Sequence, residues 1–566
     1  MKILAIHSNF IKFQVTKKAL ENAEEVSKDE ITVKECLAVL TAVEKRDEKS
    51  PTEITKKLIQ NIEDIAQKVN TKTIVLYPYA HLSSQLSSPN IALKILKDTE
   101  NLLKKKFKIT RAPFGWYKSF TISCKGHPLS ELSREIVLDD NTKSDKEDFN
   151  YKEILKSISK TKLDIRKLKP NDHRILGQEM NLFSFSETAP GMVFWHNNGL
   201  IIRNKLIEFL TYEQKIRGYQ EIRTPTILSK KLWLISGHWE KYKENIFLTD
   251  YEKREFAVKP MNCPGGILIY KAEPKSYKDL PLKISELGTV HRQELSGVLG
   301  GLFRVIQFTQ DDAHIYCTET QLVKELINVI DLVEKIYTVF GFKYRVELST
   351  RPEKRIGSDK MWDKAEATLE KTLKQKKIKF KINKGDGAFY GPKIDFHIED
   401  SLNREWQCGT VQLDFSMPER FDLTYTDKDD KEKIPIMIHR AIYGSLERFT
   451  GILLEHFKGH LPLWLSPIQV KVLTITDQNT KFAKEMIKEL NDNNIKVELD
   501  NRKESMNKKI REAQLQKINY IITIGDKEVK NKTLAIRTWQ GKVKFNVKIN
   551  QFIKELKQEI NKKQIK

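Results

Sequence analysis

The 566-residue sequence has little of what secretion or membrane insertion requires. No run approaches the roughly 18 consecutive apolar residues of a transmembrane helix, and the apolar run at 3–6 is too short for a signal peptide. The cysteines are few and widely scattered, so a disulfide framework is not expected; they are Cys36, Cys124, Cys263, Cys317 and Cys408. These absences predict a cytoplasmic protein with no membrane partner.

Acidic residues are too few to balance the basic ones. Lys and Arg number 99 against 76 Asp and Glu, which leaves a net charge of +23. Such a surplus is typical of proteins that meet nucleic acid or an anionic membrane, and the lack of apolar segments favours nucleic acid. A hydrophobic content of 39% excludes wholesale disorder, and the length predicts several domains.

Changes in composition divide the chain into four segments. Residues 1–140 form an α/β unit, with strands at 3–6 and 74–77 and a helix over 50–69, where apolar residues recur at helical spacing. Residues 141–171 form a charged linker, and 172–466 hold most of the glycine and tryptophan. Residues 467–566 alternate strand, helix and strand, which predicts a small α/β domain with a mixed sheet. That domain carries 23 Lys and Arg against 12 Asp and Glu.

Three segments of the central region contain residues suited to binding a metal. MNCPGG (261–266), QDDAHIYC (310–317) and IMIHRAIYGSLERF (436–449) supply Cys263, His314 and His439. Three soft ligands with a fourth position open is the catalytic arrangement of Zn²⁺. Spacing alone leaves another interpretation open, in which a buried cysteine and two hydrogen-bonded histidines have only structural roles.

The surrounding motifs resemble those of threonyl-tRNA synthetases, which are class II aminoacyl-tRNA synthetases. GYQEIRTPTIL (218–228), with Pro225, is similar to motif 1. TVHRQELSG (289–297) with FRVIQFTQDDAH (303–314) is similar to motif 2, and GSLERF (444–449) to motif 3. The resemblance extends to GHWEKYKENIF (237–247), GAFYGPKIDF (387–396) and REWQCGTVQLDF (404–415). It implies an antiparallel-sheet catalytic core, a homodimer, and zinc on Cys263, His314 and His439.

The same resemblance implies the reaction and its residues. L-threonine would be activated by ATP, with Mg²⁺, to threonyl-adenylate and transferred to tRNA(Thr). Arg292 would hold the carboxylate and α-phosphate, Arg304 the γ-phosphate, and Lys393 a further phosphate; Glu294 would accept from the adenine amino group, and Arg448 and Phe308 would stack on adenine. Asp312 would accept the threonine hydroxyl, with Gln310 and Tyr390 as pocket neighbours. His238 would lie near the terminal ribose, as a general base or as a positioning group.

The N-terminal segment resembles the editing domain of archaeal-type threonyl-tRNA synthetases, which is similar to D-aminoacyl-tRNA deacylases. IHSNF (6–10), YPYAHLSS (77–84) and APFGWYKSFTISCKGHPLSELSR (112–134) carry this resemblance. Serine lacks only a methyl group of threonine, a difference of about 1–3 kcal/mol, so hydrolysis of seryl-tRNA(Thr) is expected here. The matching residues are His81, Tyr117, Lys118 and Glu131. The larger bacterial-type editing domain is expected to be absent.

The C-terminal domain resembles the anticodon-binding domain of class IIa synthetases, with Glu528 and Arg537 at base-reading positions. Two positions depart from the family pattern: Gly266 stands where many relatives have histidine, and Ile306 where they often have arginine. A synthetase-like RNA-binding regulator without catalysis remains the alternative function. A synthetase for serine or proline would leave the Cys-His-His set unexplained.

Overall fold

A computed structural model of the chain describes residues 1–20, 23–83, 85–138, 155, 158, 168–400 and 403–565. The chain divides into two compact units, Met1–Tyr151 and Lys152–Lys566. Most of the predicted linker at 141–171 lies outside the described residues. The second unit contains both the central region and the C-terminal domain, so the predicted boundary at 466 stays a prediction. Among the described helices, none is long and apolar enough to span a membrane.

The first unit is a sheet with helices packed against it. The long strand β1 pairs with β2 on one side and with β5 and β6 on the other, all antiparallel, and β3 and β4 extend the sheet in parallel. Each helix starts with proline, whose fixed φ suits the first helical position. The elements are β1 (Lys2–Lys18), β2 (Ile31–Ala42), α1 (Pro51–Lys68), β3 (Thr73–Pro78), α2 (Pro89–Leu103), β4 (Lys108–Arg111), β5 (Trp116–Cys124) and β6 (Glu131–Glu135).

The predicted helix over 50–69 is confirmed as α1, and its periodicity shows why it forms. Ile54, Leu58, Ile62 and Ile65 recur every three or four residues, and all are buried in one apolar cluster with strand residues such as Val39. That spacing puts the four side chains on one face of a helix. The expected strands at 3–6 and 74–77 lie within β1 and β3.

The central region is built on a large sheet in the order β16-β15-β17-β18-β21-β14-β13-β9. Its inner strands are antiparallel, which confirms the predicted class of core, while β9 and β16 join the edges in parallel. The strands of the central region, including those of three smaller sheets, are β7 (Phe183–Ser184), β8 (Phe194–Trp195), β9 (Gln220–Glu221), β10 (Ile227–Ser229), β11 (Leu248–Tyr251), β12 (Arg254–Val258), β13 (Leu282–His291), β14 (Gln307–Cys317), β15 (Lys343–Ser349), β16 (Phe380–Asn383), β17 (Lys393–Glu399), β18 (Glu405–Asp414), β19 (Tyr425–Thr426), β20 (Glu432–Lys433) and β21 (Ile436–Ala441).

Helices pack against this sheet and share its apolar core. The apolar face of α8 and the inner face of α11 contribute to the main core, which also includes the sheet strands. The helices are α3 (His173–Glu179), α4 (Asn197–Lys215), α5 (Lys230–Ile235), α6 (His238–Tyr242), α7 (Cys263–Lys271), α8 (Leu322–Val339), α9 (Asp359–Gln375), α10 (Ser416–Arg420) and α11 (Leu446–His456).

The C-terminal domain has the mixed sheet that its alternating pattern predicts. Strands β23, β22 and β24 are parallel neighbours, and β25 and β26 continue the sheet antiparallel. Its elements are β22 (Val470–Thr474), α12 (Thr480–Asp492), β23 (Val497–Asp500), α13 (Met506–Leu515), β24 (Tyr520–Ile524), α14 (Asp526–Asn531), β25 (Leu534–Thr538), β26 (Val543–Val547) and α15 (Ile549–Asn561).

Candidate active site

A cavity of about 430 Å³ lies against one face of the central sheet, over the neighbouring strands β18, β21 and β14. It is lined by most of the residues that the motifs predict for the central region. These are Cys263, Arg292, Glu294, Arg304, Phe308, Gln310, Asp312, His314, Tyr390, His439 and Arg448.

Strand β14 supplies one wall of the cavity through simple alternation. Phe308, Gln310, Asp312 and His314 are spaced by two, so they point to the same face of the sheet. The intervening Asp311 points away and is fully buried, where its carboxylate accepts hydrogen bonds from the backbone N–H groups of residues 442, 443 and 444. This contact ties motif 2 to the start of motif 3.

The three predicted metal ligands meet at the end of this wall. His314 and His439 are directly opposite each other on β14 and β21, with ring centroids 5.0 Å apart. Cys263 is the first residue of α7, and its ligand atom and those of the two histidines all lie within 4.8 Å of one another. One cation could therefore contact all three side chains.

The protonation and orientation of these ligands also suit a metal. Burial lowers the pKa of His314 well below its usual value, so the imidazole is neutral and can donate a lone pair. The Nε2 of His439 donates to the buried carboxylate of Asp414 at 2.9 Å, which leaves Nδ1 for a ligand. Asp414 is itself fixed by the backbone N–H groups of Ser416 and Met417. Burial raises the pKa of the Cys263 thiol, and a bound cation would reverse that by stabilising the thiolate. The donor set fits zinc.

A second cluster of possible ligands, Asp172, His173 and Glu455, does not fit a metal. The Nδ1 of His173 donates to Glu455 at 2.7 Å, and its Nε2 accepts from the backbone N–H of Leu302 at 2.9 Å. Both ring nitrogens are therefore occupied, and this histidine has no lone pair for a cation.

The charged groups of the cavity are held in place before any substrate binds. Arg292 donates to the Pro260 carbonyl at 3.1 Å and to Gln310 at 3.3 Å, and its guanidinium lies 5.0 Å from the Phe308 ring centroid. Asp312 accepts from Asn262 Nδ2 at 2.8 Å, and burial raises the pKa of its carboxyl group.

Three of the arginines that line the cavity are predicted by the motifs, and one of these three, Arg304, is paired with a carboxylate. Arg304 and Glu294 form an ion pair at 3.0 Å across the motif 2 loop. Arg448 donates from Nε to the Phe303 carbonyl at 3.0 Å. These guanidinium groups supply the positive charge that a polyphosphate requires.

Two predicted residues lie outside the lining of the cavity. The Lys393 ammonium contacts Asp395 at 2.7 Å and Asp386 at 3.2 Å. His238 is fully buried between Ser236 Oγ and Met261 Sδ, both at 2.8 Å, and burial lowers its pKa to about 3. Its ring lies 6.2 Å from that of Tyr390, so it borders the pocket from behind.

The two departures from the family pattern lie close to the site. A Cβ atom at Gly266 would lie 3.4 Å from His314 Nδ1, so glycine leaves that nitrogen clear. Ile306 contributes through its backbone, because its carbonyl accepts from the Arg292 N–H at 2.9 Å.

Several cavity residues are missed by the sequence analysis. Asn262, Gln407, Thr410, Gln412 and Arg440 all line the cavity. Gln412 lies opposite His439 on the neighbouring strand β18. Three of them, Gln407, Thr410 and Gln412, belong to the segment REWQCGTVQLDF (404–415). Its many polar residues could have revealed them, because a strand buried within a sheet rarely carries so many polar side chains without a function.

In the first unit, two of the predicted editing residues belong to one group of side chains. Lys118 lies 5.1 Å from the Tyr77 ring centroid and donates to the carbonyls of Pro113 at 2.8 Å and Trp116 at 3.1 Å. His81 lies 5.3 Å from Tyr79, which in turn contacts Tyr77. We call Lys118, Tyr77, Tyr79 and His81 the lysine–tyrosine cluster. Burial lowers the pKa of Lys118 to about 8.

The other two predicted editing residues are not brought into this cluster by any contact among the described residues. Tyr117 is 61% exposed, and its position next to Lys118 on β5 points it to the opposite face. Glu131 is exposed on β6, opposite Ile6. Ser84, the last residue of YPYAHLSS, lies outside the described residues.

The C-terminal residues lie at element ends. Glu528 is in the first turn of α14 and accepts from the Gly525 N–H at 3.0 Å. Arg537, on β25, has only a 3.4 Å contact with the Gly541 carbonyl among its described hydrogen bonds.

The antiparallel sheet and the cavity with its motif residues define a class II aminoacyl-tRNA synthetase core. The model of the class II core domain for glycine, histidine, proline, serine and threonine matches residues 242–457. An archaea-specific editing domain of threonyl-tRNA synthetase matches 1–136, and an anticodon-binding domain matches 469–559. The chain belongs to the threonyl-tRNA synthetase family and has the archaeal-type editing domain.

Individual relatives agree with this assignment. The threonine–tRNA ligases of Desulforamulus reducens and Acetivibrio thermocellus are 54% and 51% identical over 402 and 401 residues, which is 71% and 70% of this chain. The chain spans 63% of the length of these curated relatives. A crystal structure titled as the RNA-binding domain of threonyl-tRNA synthetase from Cryptosporidium parvum is 42% identical, with a TM-score of 0.67, over 69% of this chain and 98% of that one. A putative threonyl-tRNA synthetase from Aeropyrum pernix is 31% identical, with a TM-score of 0.61, over 69% and 97%.

Proposed function

We propose that the chain is a threonine–tRNA ligase. It activates L-threonine with ATP to threonyl-adenylate and transfers the threonyl group to tRNA(Thr). The observation that carries this proposal is the single cavity in which the Cys263, His314 and His439 ligand atoms meet beside Asp312 and Arg292. The five free thiols suit a reducing cytoplasm.

Activation requires positive charge where the carboxylate attacks the α-phosphorus. Arg292, held by Pro260 and Gln310, is placed to bind the threonine carboxylate and the α-phosphate together. Its fixed position means that little reorganisation is needed as charge develops, which is the main advantage of such a preorganised donor. Mg²⁺ accompanies the ATP.

The remaining cavity residues bind the rest of the nucleotide. Arg448 and Phe308 lie on the adenine, while Arg304 binds the γ-phosphate and Glu294 the adenine amino group. Because Arg304 and Glu294 are paired in the structure, ATP must exchange that ion pair for its own contacts. Lys393 is paired with Asp386 and Asp395, so its predicted phosphate contact likewise requires it to leave these partners.

Threonine is selected by groups that require a hydroxyl. Cys263, His314 and His439 would hold Zn²⁺, which would act there as a Lewis acid toward the amino and hydroxyl groups of the substrate. Asp312, fixed by Asn262, accepts a hydrogen bond from the threonine hydroxyl, with Gln310 and Tyr390 beside it. A site built to bind a hydroxyl discriminates against an analogue without it by a factor of about 10⁴–10⁵, so valine is rejected at this step.

Serine retains the hydroxyl, so its rejection falls to the first unit. There we assign hydrolysis of seryl-tRNA(Thr), with Lys118 neutralising charge at the ester and His81 beside it in the lysine–tyrosine cluster. Tyr117 and Glu131 contact the tRNA end from their exposed positions.

The low pKa and full burial of His238 favour positioning of Tyr390 over proton transfer.

The C-terminal domain recognises the tRNA. Glu528 and Arg537 read anticodon bases, and the basic surplus of 467–566 follows the phosphates. We also propose a homodimer, through the motif 1 region.

The experiment that tests the proposal is threonine-dependent exchange of pyrophosphate into ATP, with and without a zinc chelator. We expect exchange with threonine, much less with serine, and loss of exchange after zinc removal. No exchange with any amino acid would leave the RNA-binding regulator as the function. Exchange driven better by serine or proline would contradict the substrate assignment, and exchange unaffected by complete zinc removal would contradict the zinc role.

A further inference from the structure

Asp395 lies behind the cavity and has no place in the mechanism above. It is on β17, next to β18, and its side chain is 1% exposed. Two cavity residues, Gln407 and Thr410, hydrogen-bond to its Oδ1 at 2.6 and 3.1 Å. Its Oδ2 accepts from Ser349 Oγ and from the Lys393 ammonium, both at 2.7 Å. All four contacts come from donors outside or at the edge of the cavity.

A β-bulge makes this arrangement possible. In a regular strand, residues three apart point to opposite faces, so Gln407 and Thr410 could not both reach one carboxylate. In β18 the register shifts between Gly409, opposite Phe396, and Gln407, opposite His397, which leaves Cys408 as the extra residue. Bulges next to active sites commonly redirect a side chain in this way.

The carboxylate decides what the two side chains can offer to the cavity. It only accepts hydrogen bonds, so Gln407 must turn its NH₂ group to Asp395 and keep its carbonyl oxygen for the cavity. Thr410 must likewise give its hydroxyl proton to Asp395, which leaves only its oxygen lone pairs. The edge of the cavity formed by Gln407 and Thr410 is therefore an acceptor for hydrogen bonds and not a donor.

We propose that Asp395 is a positioning residue that fixes Gln407 and Thr410 as acceptors for the ribose hydroxyls of the nucleotide. This inference rests on the proposed function. ATP has few hydrogen-bond donors, namely the adenine amino group and the 2′- and 3′-hydroxyls, and the amino group already has Glu294 in the proposed binding mode. The acceptor edge then selects a ribonucleotide over a deoxynucleotide.

The substitution Asp395→Asn tests the orientation directly. Lys393 can only donate, so the new amide would turn its oxygen to Lys393 and its NH₂ to Gln407. The Gln407 amide would then have to rotate and present NH₂ to the cavity. In the double variant Asp395→Asn/Gln407→Glu, the residue at 407 can again accept from both sides, so it should restore the acceptor edge.

The measurement is threonine-dependent pyrophosphate exchange with ATP, 2′-deoxy-ATP, 3′-deoxy-ATP and purine riboside triphosphate, which lacks the amino group. In the natural chain, we expect loss of a contacted hydroxyl to raise KM about tenfold. In Asp395→Asn, KM for ATP should rise by about the same factor, and KM for threonine should stay unchanged. Removal of a ribose hydroxyl from the nucleotide should then raise the KM of this variant by less than about twofold. The double variant should regain the hydroxyl dependence. Loss of the adenine amino group should raise KM by the same factor in the natural chain and in each variant.

Two further variants keep the test independent of folding. Gln407→Met, at the exposed rim of the cavity, should remove the dependence on the hydroxyl that Gln407 contacts and keep the dependence on the one that Thr410 contacts, since Asp395 still accepts from Thr410, Ser349 and Lys393. Asp400→Asn is the matched control, since Asp400 is another buried carboxylate of the β17–β18 hairpin that holds Arg404 and Trp406 and does not line the cavity. It should keep the full hydroxyl dependence.

Three results would overturn the inference. The first is an equal hydroxyl penalty in the natural chain and in Asp395→Asn, and the second is the absence of any penalty in the natural chain. The third is an amino-group penalty that disappears in Asp395→Asn, which would make adenine the partner of this edge. If the natural chain shows no exchange with ATP at all, the proposed function fails first, and that outcome is distinct from these three.

Discussion

In the central region, most of the predicted residues line one cavity, from neighbouring strands and from the loops and helices around them, and a buried carboxylate such as Asp414 fixes the orientation of a lining side chain. In the first unit, the predicted editing residues are spread over β5, β6 and the turn after β3, and half of them are exposed without a contact to the others. The cavity is thus preorganised for a small substrate, whereas the N-terminal surface offers a partly buried lysine and little else that is fixed. We infer that the second site is completed by its large substrate, the tRNA end, because a bound RNA can supply groups that a small amino acid cannot.

The largest expected effect is on the metal ligands of the cavity. Cys263→Ala should remove the bound zinc and reduce threonine-dependent pyrophosphate exchange by at least about a hundredfold, because the substrate loses a Lewis acid. Metal analysis of the purified protein and the exchange assay measure the two effects. Cys317→Ala, in a buried position of β14 outside the cavity, should keep both. A Cys263→Ala protein that retained its zinc would contradict the ligand assignment and weaken the contrast with the N-terminal surface.

The second prediction concerns Lys118. Lys118→Ala should slow hydrolysis of seryl-tRNA(Thr) by about a hundredfold, because the charge at the ester is lost, while threonylation persists. The natural chain should lose this hydrolysis as pH rises through about 8, since its burial-lowered pKa makes the ammonium neutral there. Lys118→Arg should shift that loss to a higher pH. Lys108→Ala, at an exposed position of β4, is the control. Normal deacylation by Lys118→Ala would show that the lysine–tyrosine cluster is not the editing site.

A smaller effect is expected from the carboxylate behind His439. Asp414→Asn should weaken zinc binding by about 10–100-fold, because its oxygen stays with the Ser416 and Met417 N–H groups and its NH₂ group cannot accept from His439 Nε2. The asparagine oxygen can still accept from the backbone N–H groups of Ser416 and Met417, so the fold should persist. Competition with a chelator measures the affinity, and Asp500→Asn in the C-terminal domain is the control. Unchanged affinity would mean that the cavity is no better supported than the N-terminal surface.

The smallest effect belongs to the C-terminal domain. Arg537→Gln should raise KM for tRNA about tenfold, the cost of one lost base contact, without a change in pyrophosphate exchange. Aminoacylation kinetics over a range of tRNA concentrations measure it. Arg502→Gln should have less effect, because that guanidinium is already paired with Asp500 and Glu512. A larger loss with Arg502→Gln would reverse the assignment of the tRNA contact.

Much of the site could be predicted because its residues occur in short ordered motifs. Alternation along 308–314 places four side chains on one face of a strand, and the family pattern supplies their chemistry. What could not be predicted depends on register and on distant partners. Gln407 and Thr410 become neighbours only through the bulge at Cys408. His238 and Lys393 match the family motifs, yet the structure fully buries the first and pairs the second with two carboxylates.

By itself, the sequence determined the class of core and the identity of the possible metal ligands, and it predicted a nucleic-acid partner. Charge, composition and motif order are properties of the chain, so they can be read without a fold. Only the tertiary structure decided that Cys263, His314 and His439 meet within 4.8 Å, and that Asp414 and Asp395 stand behind the cavity. Such contacts join residues far apart in sequence, and strand pairing sets the distances between them, which no local pattern contains.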